Sequence, residues 1–275
     1  MIKLSCFTTL YHSCTLEEAI RRIAKAGYDG VALMGIRPHA YPPDFDKTER
    51  KNLLNFIKSL NLEVSSIVNY GNLMGVHLSS PNEKIRREAI EHQKNIIELA
   101  YDLECKSTLL IPGYLLEGES HYDDAWRWAV EGLKECATLA EERDVVIAIE
   151  PAFNLLNSVD KAIEMMEEIG SKNIRIGIDT LHLYRLKQPI KDSILKLRDK
   201  LAPTIHVWDV NAKGEHVPFG EGEFDFDEFM KTLKAIGFEG YLEVECMPFA
   251  FGISDRDKFA RESRTFLERL LSKSD

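Results

Sequence analysis

The sequence predicts a closed (β/α)8 barrel, and three observations predict it. Eight short apolar runs rich in β-branched residues alternate with eight longer segments of helical period. The length, 275 residues, suits one such barrel and exceeds most other single domains. The first strand leads into Thr8-Thr9-Leu10-Tyr11, without the glycine-rich turn that opens a dinucleotide-binding sheet. No linker, internal repeat or low-complexity stretch divides the chain, so residues 1–275 are expected to form one catalytic barrel domain.

The strands are expected at Ile2–Phe7, Gly30–Met34, Glu63–Val68, Ser107–Ile111, Val145–Glu150, Ile174–Asp179, Thr204–Trp208 and Tyr241–Glu245. The first helix, Leu16–Ala26, follows Thr15 with Glu18 three residues on, a capping-box pattern. The others are expected at Thr48–Leu60, Glu83–Leu103, Asp123–Glu142, Val159–Ile169, Pro189–Asp199, Phe226–Ile236 and Arg256–Leu271. Gly27, Gly170 and Gly237 stand where three helices should stop, since glycine accepts the left-handed conformation that ends a helix.

Composition narrows the function classes. Hydrophobic residues make up 44% and charged residues 29%, as in ordinary globular proteins. The net charge of −10 repels phosphate backbones and anionic lipid, so neither nucleic acid nor a membrane surface is the expected partner. Five scattered cysteines with no C-x-x-C pair read as reduced thiols, and no basic leader with an apolar run opens the chain. A cytoplasmic enzyme with a small-molecule substrate is the expectation, and its long Leu- and Trp-bearing helices leave room for a homo-oligomer.

In a barrel of this kind, chemistry gathers where strands end. The fifth strand reads VVIAIE and ends in Glu150; the sixth, IRIGID, ends in Asp179. The seventh, TIHVWD, carries His206, and the eighth, YLEVE, ends in Glu245. Alternation turns these four inward while Ile147, Ile149, Ile176, Ile178, Ile205, Val207, Leu242 and Val244 face the helices. A lone strand-end carboxylate is often only a helix cap. Three such anions together repel one another unless a cation sits among them. The donor set, oxygen-rich with one imidazole, suits one divalent ion, Mn²⁺ first, with Mg²⁺, Co²⁺ and Zn²⁺ also admitted.

The words around this tetrad resemble the sugar phosphate isomerase/epimerase family, whose barrel is xylose isomerase-like. They are IAIEP at 147–151, GIDTLH at 177–182, IHVWD at 205–209, HVPFGEG at 216–222 and GYLEVE at 240–245. The resemblance implies that Glu150, Asp179, His206 and Glu245 bind one divalent metal and that Glu150 and Glu245 serve as acid and base. It implies that His182 contacts substrate. GYDG at 27–30 with RPHA at 37–40 is similar to the fructoselysine 3-epimerase branch. Two departures stand out: EPAF runs into NLLNS without the substrate-contacting Glu of ketose epimerases, and His216 stands where they carry Arg.

The expected reaction is epimerisation at C3 of a ketose or ketose derivative through an enediolate, one glutamate removing the proton and the other returning it to the opposite face. Aldose–ketose isomerisation shares the enediolate and is the alternative. An apurinic-site endonuclease would need more histidines, and here Ile111-Pro112-Gly113 stands where such enzymes place a His. An inactive sugar-binding barrel would keep the same ligands. His182, His216, Arg37 and His39 are candidates for holding substrate, with Trp208, Phe7 and Phe249 as pocket walls. Glu221 and Glu223 in the glycine loop disfavour a phosphate there, while Asp209 and Lys213 stay open as contributors to the site. Alternation also puts Arg175 and Glu243 inside the barrel, where they are expected to pair.

Overall fold

The computed structural model describes residues 1–119, 121–246 and 253–273. Eight parallel strands close into a barrel. They are β1 (Ile2–Phe7), β2 (Gly30–Met34), β3 (Glu63–Asn69), β4 (Ser107–Leu110), β5 (Val146–Ile149), β6 (Ile174–Asp179), β7 (Leu201–Val207) and β10 (Gly240–Val244). Two-residue strands β8 (Asp209–Val210) and β9 (His216–Val217) form a separate antiparallel hairpin after β7.

The helices are α1 (Leu16–Ala26), α2 (Lys47–Ser59), α3 (Glu83–Asp102), α4 (Tyr122–Arg143), α5 (Val159–Ile169), α6 (Thr180–Arg185), α7 (Ile190–Leu197), α8 (Phe226–Ala235) and α9 (Arg256–Ser272). Thr15 caps α1 through the Glu18 N–H, and Gly27 ends it at φ 89°. None of the described helices is long and apolar enough to cross a membrane.

Alternation divides the apolar residues into two bodies. Phe7, Ala32, Met34, Val68, Tyr70, Leu109, Ala148 and Ala202 pack together as one cluster inside the barrel. The eight aliphatic strand residues expected to face helices all belong to the larger cluster outside it. Most strand ends fall within one residue of their expected places. β7 is the exception: it starts at Leu201, three residues early. Pro203 reads as a strand breaker, but a proline near a strand's beginning forfeits little of the ladder. The six-residue helix α6 was not anticipated; the Asp179 carboxylate caps it by accepting the Leu181 N–H at 2.7 Å.

The turn after β3 is clamped from behind. Asn69 accepts the Gly71 N–H at 2.8 Å and donates to Gln93 of α3 at 2.8 Å, while Gln93 donates to Thr108 of β4 at 3.1 Å. This bridge is fully buried at Gln93 and fixes the backbone on either side of Tyr70. Gln93→Leu strands the buried Asn69 amide and is expected to lower unfolding free energy by about 1–3 kcal/mol. A urea titration with an unchanged midpoint would contradict that role.

Candidate functional site

Parallel register decides which polar side chains meet. His206 on β7 pairs with Asp179 on β6 and with Glu243 on β10, so these three share one level of the barrel. Glu150 follows β5 directly, and Glu245 lies two residues beyond Glu243. Glu150, Asp179 and His206 are each buried, and one ligand atom from each falls within 4.8 Å of the others. Glu245 stands outside that threesome but beside it: its Oε2 is 2.9 Å from His206 Nδ1 and its Oε1 accepts the Tyr70 hydroxyl. His206 Nδ1 also lies 3.6 Å from Glu150 Oε1, while Nε2 lies 3.3 Å from Glu243 Oε2. Phe7 stacks against the imidazole with ring centres 6.0 Å apart.

The electrostatics of this cluster are those of crowded anions. Burial, with the charges of Glu245 and Glu243 behind it, pushes Glu150 up to about 8 against the opposing His206. Burial and the neighbouring Glu245 and Glu150 raise Asp179 well above the carboxylate range. Burial works against ionised Glu245 too, but the charge of His206 beside it and the hydrogen bond from Tyr70 hold it down to about 2. His206 is raised despite its burial because Glu245, Glu243 and Glu150 surround it.

Glu150 Oε1, both His206 ring nitrogens and Glu243 Oε1 are buried without hydrogen-bond geometry to any partner among the described residues. Buried polar atoms ordinarily find partners, and of these orphans Glu150 Oε1 and His206 Nδ1, 3.6 Å apart, fit a cation. The residues therefore suit a divalent ion: Glu150, Asp179 and His206 would hold it, with Glu245 at the margin. Oxygen donors with one imidazole match Mn²⁺, Mg²⁺ or Co²⁺ well.

The remaining candidates divide. His182 lies on α6, lowered to about 4 by burial, and His216 on β9, lowered to about 3 by burial. Glu245 opposes both shifts, and both rings are neutral and able to meet hydroxyl groups. His216 lies against the buried Trp208 ring. Arg37 instead clasps Asp44 at 2.6 Å and covers Tyr41, and buried His39 faces the Cys14 carbonyl at 3.2 Å. Among the described residues, neither bonds to the cluster. Phe249 lies outside the described residues.

The expected Arg175–Glu243 ion pair is absent among the described residues. Glu243 accepts Ser66 Oγ at 2.8 Å and faces His206 instead. Arg175 pairs in register with Ala148, four residues below Asp179, about 13 Å lower on the strand.

Asp209 has a structural task. Its carboxylate accepts N–H groups from Val210 at 2.9 Å, Gly220 at 2.8 Å and Gly222 at 3.0 Å. Gly222 passes so close that a Cβ would strike the carboxylate. Lys213 sits in the exposed turn of the hairpin, its N–H on Asn211.

The sequence reading missed Tyr70. Val68 faces inward, so alternation one step past the expected strand end would have found it. It also missed the rim aromatics. Tyr114 stacks on His77 at 4.2 Å and meets Phe153 at 6.0 Å, and Phe153 meets His182 at 6.3 Å. Tyr114, Phe153, Asn72, Leu73 and Asn154 line an open cavity of about 550 Å³. Another cavity, about 430 Å³, opens at the strand starts between Glu63, Lys106, Pro203 and Tyr241. Its charged groups are already paired, Lys3 with Glu63 and Lys106 with Asp144.

A family model described as a xylose isomerase-like TIM barrel matches residues 20–270. Fructoselysine 3-epimerase of Shigella flexneri is 25% identical over 252 residues, covering 89% of this chain and 90% of that one. An L-ribulose 3-epimerase structure superposes with a TM-score of 0.83 at 22% identity, covering 98% of this chain and 95% of its own. A D-tagatose 3-epimerase-like protein gives 0.83 at 23% identity, with 98% and 97% covered. At such identities the structural likeness speaks for the fold.

A cation at this cluster would bind the ionised forms of Glu150 and Asp179, whose pKa values are raised in its absence, so binding would expel protons. Mn²⁺ at a hundredfold excess over its Kd is expected to stabilise the protein by about 2.7 kcal/mol. At fixed Mn²⁺ that gain should shrink as pH falls below about 8, where protons compete for Glu150. Thermal melts with and without Mn²⁺ across pH check this; a pH-independent gain would contradict it.

Proposed function

The chain belongs to the xylose isomerase-like TIM barrel family, and from that premise we propose that it is a divalent-metal-dependent epimerase acting at C3 of a ketose or ketose derivative. The observation that carries this reading is the buried meeting of Glu150, Asp179 and His206 with Glu245 alongside. Its relatives point the same way, being named as 3-epimerases of fructoselysine and of L-ribulose.

A bound divalent ion supplies stabilisation for the negative charge that develops on the substrate oxygens. The protein's own groups do the rest. Glu150 and Glu245 flank His206 from different strands, so a substrate lodged between them meets a carboxylate on each face. One takes the C3 proton and the other returns a proton to the opposite face. Tyr70 holds Glu245 by its Oε1 and so aims the remaining oxygen. Neutral His182 and His216 hold hydroxyl groups, and Phe7 and Trp208 wall the floor against water.

A non-phosphorylated substrate fits better than a sugar phosphate at the loop after β7. The N–H groups of Gly220 and Gly222 that would receive a phosphate are taken by Asp209. Tyr184 donates to Glu223 at 3.1 Å, keeping a carboxylate on the same loop.

The test is a screen of free ketoses, phosphorylated ketoses and fructosamines with Mn²⁺ in deuterated water, reading exchange at C3 and C2 by NMR. C3 exchange with a non-phosphorylated ketose or fructosamine is the expected result, and exchange leading to an aldose would assign isomerisation instead. Glu150→Gln and Glu245→Gln should each reduce turnover by about 10²–10⁴-fold. Near-normal proton exchange in either variant would sink the two-base scheme.

A further inference from the structure

One buried carboxylate takes no part in the chemistry proposed above. Glu243 sits inside the barrel on β10, with no exposed surface. Register sets it directly beside His206. Its Oε2 accepts Ser66 Oγ at 2.8 Å from β3 and stands 3.3 Å from His206 Nε2. Its Oε1 has no partner among the described residues. A carboxylate shut away from water is costly to keep unless a neighbouring group uses its charge. The only imidazole ring within ion-pair distance of it among the described residues is that of His206.

The two ring nitrogens of His206 face different surroundings. Nδ1 looks up at Glu245 at 2.9 Å and Glu150 at 3.6 Å; Nε2 looks across at Glu243. From this geometry we infer that Glu243 is a positioning residue that binds the Nε2 proton of His206, fixes the ring's tautomer and directs the Nδ1 lone pair into the strand-end cluster. Ser66 completes the arrangement by tying the carboxylate from the β3 side, so that it stays level with the ring. A carboxylate behind a ligating imidazole raises the basicity of the opposite nitrogen and orients the ring, and removing such a partner typically weakens metal binding by about 10–100-fold.

The inference rests on the reading of the cluster as a cation site, and the experiment separates the two. Metal-stripped wild-type, Glu243→Gln, Glu243→Leu and Ser66→Ala proteins are titrated with Mn²⁺ by calorimetry, and circular dichroism checks that each is folded. The ¹⁵N-histidine NMR spectrum of the protein loaded with diamagnetic Mg²⁺ reports which ring nitrogen carries the proton. Expected are a protonated Nε2 in the wild type and Mn²⁺ affinity about 10–100-fold weaker in Glu243→Leu. Glu243→Gln, which keeps an acceptor without its charge, should lose less, and Ser66→Ala less still. Should Glu243→Leu fail to fold, the near-isosteric Glu243→Gln decides. Wild-type affinity in the folded Glu243 variants, or a proton on Nδ1, overturns this inference alone. An absence of Mn²⁺ binding by the wild type overturns the site reading and this inference together.

Discussion

Like charges brought together away from water set the terms for this molecule. Two carboxylates about 4 Å apart repel by roughly 4 kcal/mol even at an effective dielectric of 20. Glu150 and Asp179 meet under such conditions, and Glu245 and Glu243 border the same imidazole. Burial first, and neighbouring carboxylates after it, raise the pKa values of the first two, so that without a cation they favour protons that exposed carboxyl groups would have lost. A divalent ion would replace those protons with a charge that satisfies several oxygens at once.

The barrel's part is to make this crowding unavoidable. Parallel register puts Glu243, His206 and Asp179 level on three adjacent strands, and the aliphatic faces of those strands are locked against the helices. A one-residue slip would turn Ile178, Ile205 and Val244 inward and expel the polar set, so apolar burial and site geometry enforce each other. Loops then trim the site. Asp179 caps α6, which brings His182 along, and Asp209 gathers the glycine loop that follows the His216 hairpin.

What the sequence made legible follows from this division. Alternation within one strand is a local property, so the inward Glu150, Asp179, His206 and Glu245 could be read directly, as could the helix capped by Thr15 and ended by Gly27. The height of one strand against the next is not local. Treating strand ends as level suggested Glu243 beneath the metal layer and opposite Arg175; register instead puts Glu243 in the layer and Glu245 above it. Loop residues were least legible. Arg37 and His39 follow β2 as expected, yet their partners, Asp44 and the Cys14 carbonyl, depend on how two loops fold over each other. Tyr70 escaped because alternation was followed only to Val68, while the strand runs to Asn69 and Tyr70 follows it directly.

Crystals soaked in MnCl₂, with anomalous scattering measured at the manganese absorption edge, test the central claim most directly. The account predicts a single strong peak among the side chains of Glu150, Asp179 and His206. A cluster devoid of anomalous signal, with manganese only at exposed acidic positions, would contradict it.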